Sequence, residues 1–533
     1  MNKKSPILLS VLSAVPALAG AQNGQRPNII YIMCDDMGYG DLGCYGQQLI
    51  ATPNIDAMAQ RGMRFTQAYA GSPVSAPSRA SFMTGQHSGH GHVRGNKEYW
   101  GNAWKSNLFG TAGDYTIVGQ EPYDMDHVII PEIFKANGYH TGMFGKWAGG
   151  YFNMNYPDTY ATKADGNTDT SKYQTSSSSS LPNKRGIDCF YGPICQFQAH
   201  TYYPNFLNRY DPEKYGDTCM KVDTLWDNIK YPTVSTGNAG YENRSQYSSD
   251  LIHEYALEWL DRQSSDQPFL GIFTYTLPHA ELWQPRDSIL LKYNQVFSCD
   301  DKSFGGNYGS WYYKNTNSHA QFAAMITRLD AQVGEIIDKL RQKGLLDNTL
   351  VIFTSDNGPH EEGGADPDFF NRDGLLQGKK RSTYEGGIRI PFIAMGPNVP
   401  AGTTNDHQFA FYDLMATFCD YASIPDYKQY NPKGEDDYFD GISFYPTLTG
   451  NDAAQQRHEY LYWEFHETNM LGVRMGDWKL VVSAGNCRLY DLATDLHEDN
   501  DVAAQYPDIV AQMKAIIKKE HTNSTLFNVT IPQ

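Results

Sequence analysis

Two pairs of oxygen-bearing side chains stand at the ends of apolar runs in this chain. Asp35-Asp36 follows Asn28–Cys34, and Asp356-Asn357-Gly358 follows Leu350–Ser355. Four such donors suit a hard divalent cation, Ca²⁺ or Mg²⁺, whereas zinc more often takes His or Cys. Either pair alone is ordinary turn chemistry; both pairs, each closing a strand-length run, point to a metal. A third segment runs from Ser75-Ala76-Pro77-Ser78-Arg79 to Thr84-Gly85. Pro77 suits the first turn of a helix and Gly85 its stop. Ser75 then lies at a helix N-terminus, where backbone N–H groups and the dipole favour an anion, and Arg79, one turn on, can point back at it. The same segment also reads as an N-capped surface helix.

The elements that must position these groups follow from periodicity. Two further runs, Gly138–Gly145 and Pro268–Thr276, close on Lys146 and on Pro278-His279. Runs apolar on both faces suit a central parallel sheet. Between them lie helical patterns, Leu251-Tyr255-Trp259-Leu260 and Phe322 to Leu340, the second stopped by Gly344. Strand and helix in alternation predict an α/β fold, a large central, mostly parallel sheet sandwiched by helices. Ligands of such folds gather at the carboxyl ends of the strands, so the polar strand-end residues are expected along one rim. Residues 153–245, rich in Tyr, Asn, Ser and Gly, read as a loop-rich insertion over that rim. Beyond about residue 455 four short strands (459–463, 472–475, 478–482, 488–491) and a helix through Ile509–Ile517 predict a smaller antiparallel α+β subdomain. The expected organisation is a main unit over 22–454 and a C-terminal unit over 455–533.

With 43 basic and 60 acidic residues the formal charge is −17, which argues against a nucleic-acid partner. No internal apolar run reaches the ~18 residues a spanning helix needs. Lys3-Lys4, the apolar run to Leu18 and Ala19-Gly20-Ala21 read as a signal peptide over 1–21, hence export to the periplasm or beyond. Eight cysteines in 533 residues are too sparse to be the main scaffold.

The motifs together resemble the type I, formylglycine-dependent sulfatases of the alkaline-phosphatase-like superfamily. The resemblance rests on Asp35-Asp36, Ser75 to Gly85, Gly145-Lys146-Trp147, Pro278-His279, Asp356-Asn357-Gly358, Lys380 and Glu385-Gly386-Gly387, in that order along most of the chain. It implies that Ser75 is oxidised to formylglycine by a generating enzyme of the serine type, and that the hydrated aldehyde attacks sulfur and later expels sulfate by re-forming its carbonyl. It implies Ca²⁺, with Mg²⁺ the less favoured ion, held by Asp35, Asp36, Asp356, Asn357 and residue 75. Arg79 would orient the diol, Lys146 and Lys380 would neutralise charge on the sulfuryl group and leaving oxygen, and His279 would contact the sulfate or protonate the departing oxygen.

One position departs from the pattern. Sulfatases often carry Lys-x-His where this chain reads Lys146-Trp147-Ala148; His140, His87, His90 and His92 are candidates to replace the missing imidazole. The expected substrate is a sulfated glycan. The stretch 196–204 resembles bacterial glycan sulfatases, including ones acting on galactose- or N-acetylgalactosamine-4-sulfate, and Arg94, His200, Glu464 and His466 are candidate sugar contacts. A phosphodiester or phosphonate hydrolase of the same superfamily, and a non-catalytic glycan-binding relative, are the alternatives.

Overall fold

Asn28–Cys34 (β1) is buried at every position, and past Asn28 its sequence is unbroken apolar, as suits a strand covered on both faces. The computed structural model describes residues 26–100, 118–152, 154–155, 174–175, 179–230, 243–297, 317–434 and 437–533; the segment 1–21 read as a signal peptide lies outside them. The other strands of the main sheet are β2 Met63–Tyr69, β3 His140–Gly145, β4 Cys189–Gly192, β5 Phe206–Tyr210, β6 Lys221–Thr224, β7 Phe269–Thr274, β8 Thr349–Ser355, β9 Arg389–Met395, β10 Thr403–Asn405 and β11 Phe409–Ala410. Their order is β6-β5-β4-β3-β7-β1-β8-β9-β2-β10, with β11 also on β2. The centre is parallel from β4 through β8, and the flanking pairs β8–β9, β9–β2, β4–β5 and β5–β6 are antiparallel.

This parallel centre is what builds the site. Because β3, β7, β1 and β8 run in one direction side by side, their carboxyl ends share an edge. Lys146, His279, Asp35-Asp36 and Asp356-Asn357 all follow those ends. Helices Ser248–Arg262 (α3) and Ser318–Gln342 (α4) cover one face, with Trp259, Phe322, Leu329 and Val333 fully buried. The periodicity of the sequence predicts both.

The segment 153–245, expected as a loop-rich insertion over the rim, contributes β4, β5 and β6 to the main sheet. Their sequences (Cys-Phe-Tyr-Gly, Phe-Leu-Asn-Arg-Tyr, Lys-Val-Asp-Thr) are short and half polar. A strand near a sheet edge tolerates that composition, because one side meets solvent, and so it leaves no alternation to read.

Leu461–Phe465 (β12), Met470–Met475 (β13), Trp478–Ser483 (β14) and Asn486–Asp491 (β15) form a separate antiparallel sheet in chain order. The amphipathic helix Pro507–Glu520 (α5) buries Met513 and Ile517 against it. A charged network bolts this unit to the main sheet. The Glu385 carboxylate accepts from Lys479 Nζ at 2.7 Å, Tyr69 Oη at 2.7 Å and Arg474 Nη1 at 3.3 Å. All four residues are buried. Removing the anion by Glu385→Ala leaves Lys479 and Arg474 with only the longer contacts to Glu498 at 3.6 Å and Asp477 at 3.9 Å, and is expected to lower unfolding stability by about 3 kcal/mol. Denaturant titration checks this; an unchanged midpoint would contradict the role.

Candidate active site

Ser75 opens helix Ser75–Thr84 (α2), which is buried at all ten positions and ends at Gly85 in the left-handed conformation (φ 69°). The expected helix is therefore present, but it is a core element rather than a surface one. Ser75 Oγ donates to Asp35 Oδ1 at 2.7 Å. Ser78 Oγ donates to the Asp356 carbonyl at 2.5 Å, so the helix start is tied to the end of β8. Gly358 permits a further close approach. A Cβ there would lie 1.9 Å from the Gly386 carbonyl, which brings the Lys380–Gly387 segment against the strand ends.

The carboxylates and cations interlock. Lys146 Nζ donates to Asp35 Oδ2 at 2.7 Å. Arg79 Nη2 lies 2.8 Å from Asp356 Oδ2 and 3.4 Å from Asp35 Oδ2. Lys380 Nζ reaches Asp36 Oδ2 at 2.7 Å and His279 Nε2 at 2.9 Å. Asn357 Nδ2 donates to Asp36 Oδ1 at 2.7 Å. Asp36 itself holds φ at 63°, a conformation an L-residue keeps only where its surroundings over-determine it. Every sequence-derived metal and catalytic residue thus meets in one buried cluster.

Burial raises the Asp35 carboxyl, but Lys146 and Arg79 outweigh it and hold it well below the usual range. Asp36 is lowered as well, against burial, chiefly by Lys380. Asp356 differs: burial, and then the charge of Asp35, push it up to about 7. Burial likewise lowers Lys146, opposed by Asp35, whereas Asp36 and Glu362 overcome burial and raise Lys380. Three carboxylates crowded together are relieved by a cation. The donor set fits a hard one: besides these oxygens, Asn357 Oδ1 is buried with no hydrogen-bond partner, an acceptor aimed at a missing charge.

The four histidines nominated to replace the one absent at Ala148 lie elsewhere. His140 starts β3, at the opposite end from Lys146, and its Nδ1 pairs with Gln263. His87, His90 and His92 follow the far end of α2. His87 Nε2 meets Glu520 at 3.0 Å, His90 Nδ1 meets Asp440 at 2.8 Å and His92 Nε2 meets Glu121 at 2.8 Å. His87 and Glu520 line a cavity of about 400 Å³ between the main unit and α5, apart from the catalytic cluster.

The sugar-contact candidates divide. His200 stacks on His279 with ring centroids 4.3 Å apart, and His466 stands on the β12–β13 turn, whose Thr468 bonds the Arg381 carbonyl. Arg94 and Glu464 are instead buried in a network: Arg94 donates to Glu464 and to Thr522, and Glu464 accepts from Tyr462 and His521. A sugar would have to break that network to reach them. Two site residues escaped the sequence reading, His360 and Glu362. His360 stacks 5.6 Å from His279 on centroids, and Glu362 bonds Lys380 at 2.9 Å. The acidic pair after Asp356-Asn357-Gly358 was the available signal for Glu362.

Comparison with known proteins agrees with this geometry. The sulfatase family profile matches residues 27–424, and that of the N-sulphoglucosamine sulphohydrolase C-terminal region matches residues 377–523. The chain is 28% identical to an N-acetylgalactosamine-6-O-sulfatase of Bacteroides thetaiotaomicron, over 97% of this chain and 99% of the relative. It is 27% identical to the N-acetylgalactosamine-6-sulfatase of Canis lupus familiaris, over 89% and 74%. The crystal structure of Ps i-CgsB in complex with k-i-k-neocarrahexaose shares the fold, with TM-score 0.67 and 24% identity over 95% of this chain and 96% of that one. The chain therefore belongs to the sulfatase family of sulfuric ester hydrolases.

Proposed function

We propose that this chain hydrolyses a sulfate ester on an N-acetylgalactosamine-type sugar, with Ser75 oxidised to formylglycine and Ca²⁺ held by Asp35, Asp36, Asp356, Asn357 and residue 75. The observation that carries this is Ser75 Oγ at 2.7 Å from Asp35, at the start of a buried helix, inside a carboxylate cluster flanked by three cations. The cation, when bound, polarises a sulfate oxygen, and the formylglycine hydrate supplies the hydroxyl that attacks sulfur.

The chain's own residues do the rest. Lys146 and Arg79 face the Asp35 side of residue 75 and hold positive charge where sulfuryl oxygens gather. Lys380 and His279 stand together on the Asp36 side, where the leaving oxygen needs charge or a proton. His200 and His466 are the proposed sugar contacts. The relatives named for the 6-sulfate of N-acetylgalactosamine support that sugar, and they favour O6 over the O4 ester that residues 196–204 suggest. Release of sulfate from a panel of 4- and 6-sulfated galactose and N-acetylgalactosamine tests the reading. Turnover of 6-sulfated N-acetylgalactosamine supports it, and turnover of none of the four contradicts it.

The cation has its own expected signature. Chelation is expected to abolish turnover and lower the melting temperature, and Ca²⁺ at about 100 times its dissociation constant to restore about 2.7 kcal/mol of stability. A melting temperature indifferent to chelator and Ca²⁺ would contradict the ligand set.

No helix of the described residues is long and apolar enough to cross a membrane. We propose export on the strength of the leader-like segment 1–21, with the generating enzyme acting on Ser75 during maturation.

A further inference from the structure

We infer that Glu362 is a positioning residue for the departing sugar oxygen, acting through Lys380 and His279; this rests on the sulfatase reading above. Glu362 sits on a short turn beyond β8, with only 2% of its surface exposed. Its Oε2 accepts from Lys380 Nζ at 2.9 Å, and its Oε1 accepts from Arg381 Nη1 at 2.6 Å. One buried carboxylate therefore spans two consecutive cations. Its Oε2 also lies 3.9 Å from His279 Nε2.

The hydrogen bonds around Lys380 give the reason. His279 Nδ1 bonds the carbonyl of Ala280, and a carbonyl only accepts, so the Nδ1 proton is fixed there. That leaves His279 Nε2 as the acceptor of Lys380 Nζ at 2.9 Å. In this arrangement the transferable proton on the Asp36 side resides on the Lys380 ammonium, whose three N–H groups go to Asp36, Glu362 and His279; the one on Asp36, a carboxylate the cation would draw on, is the one available to the sugar oxygen, while Glu362 and His279 hold the other two. Asp36 belongs to the proposed Ca²⁺ ligands, so Glu362 is the anionic anchor that Lys380 does not share with the metal. Arg381, in the left-handed region at φ 73°, would repel the ammonium without it.

The step served is the cleavage of the sugar O–S bond. As the hydroxyl of residue 75 forms its bond to sulfur and loses its proton to solvent, the electron pair of the sugar O–S bond passes to the sugar oxygen, which takes a proton from the Lys380 ammonium; water then returns that proton to Lys380. A sugar alkoxide is a poor leaving group and needs it. A nitrophenolate leaves without it.

The test compares 6-sulfated N-acetylgalactosamine with 4-nitrophenyl sulfate, using Ca²⁺-loaded enzyme with Ser75 modified. Glu362→Gln is expected to lower kcat on the sugar sulfate by on the order of 10²–10³-fold with KM nearly unchanged, and to spare the nitrophenyl ester to within about tenfold. Glu362→Asp, which keeps the charge, is expected to recover part of the sugar-sulfate loss, and it serves alone if Glu362→Gln does not fold, with the same bias between the two esters. Equal losses on both esters, or a change in KM alone, would overturn the inference, because a structural residue does not discriminate leaving groups. Wild-type enzyme inert toward both esters would overturn the 6-sulfated N-acetylgalactosamine reading and this inference with it.

Discussion

Ser75→Ala is expected to lower kcat by on the order of 10⁵–10⁶-fold, the scale seen when a covalent nucleophile is removed from an otherwise intact site. The substitution deletes one buried hydroxyl that donates to Asp35 and leaves α2 in place, since Ala at a helix start is sterically harmless. The fold should persist with a stability change of about 1 kcal/mol. Binding of the sugar sulfate should persist too, because Lys146, Arg79 and Lys380 remain. The measurements are kcat on the sugar sulfate, ligand binding by calorimetry and a denaturant midpoint. Retained turnover would mean that residue 75 is not the nucleophile.

Arg79→Met carries the second-largest expected effect, and it falls on activity and stability together. The guanidinium is buried between Asp35 and Asp356. Its removal leaves two carboxylates facing each other with less compensation, which costs about 3–5 kcal/mol for a broken buried pair. The same change removes fixed positive charge from the sulfuryl side, for a loss of about 10²–10³-fold in kcat. Arg79→Lys should recover stability more than activity, because a single ammonium cannot span both carboxylates as the planar fork does. Added Ca²⁺ should narrow the stability gap by supplying charge to the same oxygens. A variant with wild-type midpoint and turnover would contradict the role.

The parallel centre and its rim are written plainly in the chain. β1 and β8 carry apolar runs, Ile29–Cys34 and Leu350–Phe353, as a strand buried on both faces favours. Asp35, Asp36, Asp356 and Asn357 follow from those runs, because whatever ends such a strand lies at its carboxyl edge. The C-terminal sheet was legible for a different reason: its short strands follow one another at short spacing. β4 to β6 were hidden because flank strands of four or five residues, half of them polar, carry no period.

The rest of the site depends on side chains from distant segments. Arg94 and Glu464 are polar, close in type to sugar-binding residues and 370 positions apart; only the packing shows that they bond each other. Glu362 and His360 look like turn residues until Lys380 and His279 close over them. Ala148 shows what is missing without showing what replaces it. The four histidines considered for that role, His140, His87, His90 and His92, lie outside the cluster, while His200 stacks on His279 from a separate part of the chain.

The central claim is that residue 75 is an oxidised nucleophile inside the carboxylate cluster. Mass spectrometry of the peptide spanning residue 75, from protein made in its own host, tests it most directly. The account predicts a loss of about two mass units at that residue, the change from a primary alcohol to an aldehyde, together with reactivity toward hydrazine reagents. An unmodified serine in protein that nonetheless cleaves sulfate esters would contradict it.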